Sequence, residues 1–190
     1  MERPHHVRTL FDEAAIARRN EELAKAIVAS TAPDLLVVAV LKGSFMFAAD
    51  LIRALHRQRA SPQVEFIHLS SYGTGTVSRG TVAILRDIES SVAGRDVLLV
   101  DDILESGRTL SFAKDLLSAR GARRVLVAVL LEKANKRAVS IQADFVGFPC
   151  PDLFVVGYGM DVAHNFRQLP FVGVVTSGDS EPDLFDVGQT

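Results

Sequence analysis

The sequence holds a single cysteine, Cys150. No intrachain disulfide is available to it, and no cysteine pair can begin a zinc site, so a reducing compartment is expected. Charge of one sign is also missing. The chain carries 21 Lys and Arg against 23 Asp and Glu, a formal net charge of −2, which offers no basic footprint for nucleic acid. Long apolar runs are absent too. Leu35–Leu41 and Val125–Leu131 are far too short to span a bilayer, and MERPHHVRTLFDEA has no apolar core of signal-peptide length. A soluble, cytoplasmic protein with neither nucleic acid nor membrane as partner is therefore expected. Two nucleotide motifs are missing as well. No GxxxxGKS or GxxxxGKT occurs, and neither GYGMD nor YGTGTVS completes a GxGxxG. These absences exclude the nucleoside-triphosphatase loop and leave a dinucleotide fingerprint poorly supported.

What is present is an ordinary globular composition in 190 residues, enough to bury one sizeable core. Helical spacing runs from Asp12 to Ala29 and stops before Pro33. Leu35–Leu41 is continuously apolar and reads as a strand buried on both faces. The stretch from Ser44 to Gln58 is an amphipathic helix pattern with Ser44 as its cap. Val64–Leu69 and Thr81–Leu85 read as an antiparallel pair joined by the glycine-rich SSYGTGTVSRG, a mobile loop. Val97–Val100 is a strand, Leu110–Ala119 a helix ending at Arg120-Gly121, and Val125–Leu131 a second strand buried on both faces. Phe154–Val156 and Phe171–Val175 complete the pattern. Alternating strands and helices predict an α/β fold, a parallel-centred twisted sheet flanked by helices. No internal repeat or interdomain linker is visible. The acidic, turn-rich SGDSEPDLFDVGQT reads as a frayed tail.

In such sheets ligands bind beyond the carboxyl ends of the strands, and the polar residues of this chain collect there. One strand delivers Lys42-Gly43-Ser44, the next Asp101-Asp102, the next Glu132-Lys133, and the last Gly157-Tyr158-Gly159 followed by Asp161. Glu105-Ser106-Gly107-Arg108-Thr109 lies between a strand and a helix start, where free N–H groups and the helix dipole favour a phosphate. The plainer reading is a helix start capped by Ser or Thr. Adjacent Asp101 and Asp102 point to opposite faces of an extended chain, so they form no carboxylate dyad, but both can still reach one ligand if the strand has ended and the chain is turning; their acceptors suit sugar hydroxyls or hydrated Mg²⁺. Lys133 emerges at the ligand edge, whereas Lys136 and Arg137 read as surface residues. Phe154, taken alone, reads as core.

Together, VLKGS, SSYGTGT, VLLVDDILESGRTL, LLEK and DFVGFPCPDLFVVGYGMD, ending at Phe166-Arg167, resemble the type I phosphoribosyltransferase family in its hypoxanthine-guanine branch. The resemblance spans most of the chain from Val40 to Arg167. It implies one domain over residues 1–180, with a core of about 30–150, a small hood from the N-terminal segment and about 150–178, and a flexible tail at 181–190. It implies purine salvage: transfer of 5-phosphoribose from phosphoribosyl pyrophosphate to hypoxanthine or guanine, with Mg²⁺, in a homodimer or homotetramer. Residue by residue, it implies that Glu105, Ser106, Gly107, Arg108 and Thr109 hold the 5′-phosphate and that Asp101 and Asp102 face ribose and the metal region. Lys42, Gly43 and Arg167 serve pyrophosphate, with the Leu41-Lys42 peptide cis. Lys133, Phe154 and Val155 serve the purine base, Asp161 the metal, and Ser71 and Tyr72 a closing lid. The base that takes the purine proton is usually an aspartate in this family; here it is Glu105.

Three other readings stay open on the residues. Some proteins of this fold bind RNA and regulate, which the weak net acidity disfavours. A phospho-receiver domain also opens on an apolar strand ending in Asp-Asp, but too few residues follow Asp102 for a whole one. A xanthine-preferring or pyrimidine transferase of the same fold is the nearest enzymatic alternative.

Overall fold

The computed structural model describes residues 6–72 and 81–176. In chain order its elements are β1 (His6–Phe11), α1 (Glu13–Ser30), β2 (Leu36–Leu41), α2 (Phe45–Arg57), β3 (Gln63–Tyr72), β4 (Thr81–Arg86), β5 (Asp96–Leu104), α3 (Arg108–Ala119), β6 (Arg124–Glu132), β7 (Phe145–Pro149), β8 (Val155–Val156) and β9 (Val172–Thr176). The main sheet has the order β4-β3-β2-β5-β6-β7. All its pairings are parallel except β3 with β4.

The doubly apolar runs take the centre because both their faces find helices. Val37, Ala39, Leu98, Val100, Ala128 and Leu130 share a core with α1 and α2, while Leu36, Val38, Leu99 and Val127 share the opposite core with α3. This is the α/β class that the alternation predicts. α1 starts where Asp12 accepts from the Ala15 N–H at 2.7 Å, a standard N-cap. Ser44 precedes α2 but does not cap it: its hydroxyl donates to the Val40 carbonyl at 2.5 Å, closing the turn from β2 instead.

Two strands carry no clear local pattern. β1 pairs antiparallel with β9, and β9 with β8, so the terminal segments form a separate three-stranded sheet, the expected hood. β7 contains Gly147 and ends on Pro149, tolerated because it lies at the sheet edge. A Cβ on Gly147 would meet the Leu130 carbonyl oxygen at 2.3 Å. Arg19 of α1 blunts that edge, donating to the Val146 and Gly147 carbonyls, each at 2.8 Å. The expected mobile connector falls largely on residues 73–80 and the expected tail wholly on 181–190, both outside the described residues. Ser70, Ser71 and Tyr72, expected within that connector, instead continue β3.

At the opposite end of the sheet from the ligand edge, Asp96 opens β5 with a fully buried side chain. It accepts from Arg123 Nε at 2.8 Å, from Arg124 at 2.5 Å and from the Ala32 N–H at 3.0 Å. Its bond to Arg124 above all holds this carboxyl far below the usual carboxylate range. The stabilisation is therefore complete above the unfolded-state value near pH 4 and is lost as pH falls through the folded value. Asp96→Asn is expected to cost about 2–3 kcal/mol at pH 7 and to flatten the acid arm of stability, read by urea titrations between pH 2 and 7.

Candidate active site

A cavity of about 630 Å³ opens at the carboxyl end of the main sheet. Its walls include Lys42 and Gly43 after β2, Asp102 and Glu105 of the β5 end, Lys133 after β6, and Phe154, Val155, Asp161 and Arg167 from the hood side. A smaller cavity of about 300 Å³ adjoins it, lined by Asp101, Ser106, Gly107 and Thr109. The two share Lys42, Gly43, Asp102 and Glu105 as a common wall.

The smaller cavity is a helix-terminus site. Gly107 stands at the N-cap of α3 with φ 80°, and no side chain caps the helix. The expected Ser or Thr cap is thus replaced by glycine, and crowding explains it: a Cβ there would meet Ile141 Cγ2 at 2.5 Å. The first intrahelical bond runs from the Ser111 N–H to the Gly107 carbonyl, so the Thr109 and Leu110 N–H groups have no helical acceptor. Arg108 is exposed and lines neither cavity; it contributes its backbone, whose N–H lies 3.4 Å from Ser106 Oγ.

β5 does not end at its aspartates. Its pairing with β6 runs on to Leu104 opposite Glu132, which keeps the backbone of Asp101 and Asp102 in the sheet. Asp101 is consequently buried, and burial with the neighbouring Asp102 charge pushes its carboxyl well up. Burial raises Asp102 as well, against the bonds it accepts and the charge of Arg167, which favour its ionised form. Asp102 Oδ1 accepts from the Ile103 N–H at 2.7 Å.

The Lys42–Gly43 turn, which follows a cis Leu41-Lys42 peptide, is wedged from two sides. A Cβ on Gly43 would lie 1.7 Å from Asp102 Oδ2. From the hood, Gly159 approaches so closely that its Cβ would meet the Gly43 carbonyl oxygen at 2.2 Å. The hood turn is anchored on both flanks. Tyr158 donates to Asp50 Oδ2 at 2.6 Å and accepts from Asn20 at 3.0 Å, and Arg167 donates to the Gly159 carbonyl at 2.6 Å while pairing with Asp161 at 2.6 Å.

At the far end of the large cavity Lys133 is buried and Phe154 is 60% exposed, so Phe154 is a cavity wall and not core. Lys133 Nζ lies 3.3 Å from Glu105 Oε1. Of the two residues that read as surface, Lys136 is exposed and also lines this cavity, while Arg137 is half-buried and donates to the Leu104 and Glu105 carbonyls at 2.8 and 2.7 Å. Their charge in a polar segment offered no signal of these contacts, because the turn that places them is set by bonds to the β5 end. His68 and Asp152 also line the cavity and went unnoticed in the sequence. The backbone of Ser71 and Tyr72 pairs with Val82 and Thr81, beyond which lies the segment outside the described residues.

Among the described residues no three His, Cys, Asp or Glu side chains are grouped to hold a metal by themselves. Asp101, Asp102 and Asp161 are nevertheless hard oxygen donors, and Asp101 is buried without an ion-pair partner among the described residues. Mg²⁺ usually takes one or two carboxylates of this kind, with ligand oxygens and water completing its shell.

Residues 6–163 match the phosphoribosyl transferase domain family. The chain belongs to that family. Hypoxanthine phosphoribosyltransferase of Escherichia coli K12 is 41% identical over 174 residues, covering 90% of this chain and 96% of that protein. Hypoxanthine-guanine phosphoribosyltransferase of Bacillus subtilis is 42% identical over 171 residues, covering 88% and 92%. The structure is similar to that of a Bacillus anthracis hypoxanthine-guanine phosphoribosyltransferase, with TM-score 0.84, 40% identity and coverage of 90% and 100%. It is also similar to Trypanosoma cruzi hypoxanthine phosphoribosyl transferase, studied for the role of its C-terminal region in oligomeric state and activity, with TM-score 0.86, 37% identity and coverage of 93% and 94%. In this phosphoribosyltransferase the hood-to-core contact is testable. Gly159 has φ 100°, so Gly159→Ala adds backbone strain to the collision with Gly43. We expect a loss of about 3 kcal/mol in denaturant unfolding.

Proposed function

We propose that the protein transfers 5-phosphoribose from phosphoribosyl pyrophosphate to hypoxanthine or guanine, releasing pyrophosphate. The observation that carries this reading is the wall shared by the two cavities. A phosphate site at the start of α3 and an aromatic, lysine-lined base site meet at Lys42, Gly43, Asp102 and Glu105. A ribose whose 5-phosphate occupies the small cavity would present its C1 at that wall.

The roles follow from chemistry. The loop Glu105–Thr109 offers N–H and hydroxyl donors to the 5-phosphate. Asp101 and Asp102 accept from ribose hydroxyls, which repays part of the cost of burying them. Lys42, Gly43 and Arg167 bind pyrophosphate. Mg²⁺, held by Asp161 and the Asp101–Asp102 end, would supply charge neutralisation on the pyrophosphate oxygens. Phe154 stacks on the base and Val155 meets its edge. Lys133 donates to the 6-oxo group and repels the amino group of adenine, donor against donor. In the transfer the bond from C1 to the pyrophosphate oxygen breaks and a bond from the ring nitrogen to C1 forms, while Glu105 accepts the proton leaving the base. Ser71 and Tyr72, at the end of β3, would serve a lid that excludes water.

A homodimer or homotetramer and a cytoplasmic location belong to the same proposal. For the first, the Trypanosoma cruzi relative is one whose oligomeric state has been studied, and for the second, the lone, buried Cys150 suits a reducing compartment. Among the described residues no helix is long and apolar enough to cross a membrane.

The test is nucleotide formation with Mg²⁺, phosphoribosyl pyrophosphate and a panel of purine and pyrimidine bases. Hypoxanthine or guanine should be consumed, with adenine at least about a hundredfold slower; silence with every base would sink the reading. Glu105→Gln should lower kcat by about a hundredfold or more and leave the KM for phosphoribosyl pyrophosphate within about threefold. Unchanged turnover would remove Glu105 from the proton-accepting role.

A further inference from the structure

Glu105 carries one methylene more than an aspartate, and its carboxylate must therefore be steered by something other than its own short reach. Its main chain is fixed from one side. The Lys133 N–H donates to the Leu104 carbonyl at 3.0 Å, the Ala138 N–H to the Ser106 carbonyl at 2.9 Å, and Arg137 clamps the Leu104 and Glu105 carbonyls. The segment after β6 is thus stitched across the β5 end, with the 3-10 turn Ala134–Lys136 at its middle. That turn projects Lys136 into the large cavity, where its Nζ lies 3.5 Å from Glu105 Oε1 and 2.5 Å from Asp152 Oδ1. Glu105 Oε1 therefore faces two cations, Lys136 and, at 3.3 Å, Lys133.

We propose that Lys136, anchored by Asp152, is a positioning residue that holds the longer Glu105 carboxylate in place for proton transfer. The inference rests on the reaction proposed above. Once a 6-oxopurine draws the Lys133 ammonium onto its oxygen, Lys136 is the cation that stays on Glu105. It also ties the β5 loop to the segment that carries Phe154, so the proton acceptor and the stacking ring are set by one bridge. Asp152 and Lys136 are each about half exposed, at 51% and 48% of side-chain area, so the bridge is worth little to folding. Its contribution is geometric, and geometry at a proton acceptor matters within about an ångström.

Steady-state kinetics of Lys136→Met, Lys136→Arg, Glu105→Asp and the double variant Glu105→Asp/Lys136→Met test this. Lys136→Met should lower kcat by about tenfold to a hundredfold with the KM for phosphoribosyl pyrophosphate within about twofold. Lys136→Arg should recover kcat to within about threefold of the unaltered protein. The thermal midpoint of each single Lys136 variant should stay within about 2 °C, as loss of an exposed pair predicts. In the Glu105→Asp background, where the carboxylate is withdrawn from Lys136, the Met substitution should change kcat by less than about twofold. An unchanged kcat in Lys136→Met, no recovery with Arg, or an equal loss in both backgrounds overturns the positioning role. An inactive unaltered protein overturns the reaction itself, a separate outcome.

Discussion

Two carboxylates at the ligand end of a strand that is covered on both faces set the terms for the structure around them. Asp101 and Asp102 stay in the sheet because β5 and β6 pair beyond them, so Asp101 is buried with no ion-pair partner among the described residues, while Asp102 feels the charge of Arg167. Two adjacent acids, one of them buried without a cation beside it, are unfavourable in a folded protein unless hydroxyl donors or a cation complete them. That demand explains why the surrounding elements present N–H groups, lysines and an arginine to the same place. It also explains why Gly43 must be glycine: Asp102 occupies the space a side chain would need.

The hood serves the core through a backbone contact. Gly159 presses on the Gly43 carbonyl, and the hydroxyl of neighbouring Tyr158 holds the hood side to α1 and α2 through Asn20 and Asp50. Burial and the bond to Asp50 push the Tyr158 phenol up, so it remains a neutral donor. The geometry of the Lys42–Gly43 wall of the cavity therefore depends on a segment far away in the chain.

At the base end, charge is arranged in alternation. Lys133, Glu105, Lys136 and Asp152 form a chain in which each group has an opposite neighbour. In such a chain Glu105 would keep Lys136 beside it if Lys133 were drawn away. The backbone stitching by Arg137 makes the arrangement a property of two loops acting as one.

Local patterns in the sequence determined the sheet centre, the three helices, the antiparallel β3–β4 pair and the place where the polar residues gather. These are readable because side-chain period and apolar run length report burial directly. The segments VLKGS, VLLVDDILESGRTL and FVVGYGMD likewise carried the family and nearly every candidate residue. Tertiary structure alone decided the rest. β1 and β7 form because β9 and β6 offer them edges, although β7 contains Gly147 and Pro149 and no strand signal of its own. Asp101 becomes buried, and Lys136, an exposed lysine, comes to line the cavity, through pairings between residues distant in sequence. Periodicity reports which face of an element is covered, but not what covers it, and the chemistry of this site depends on the latter.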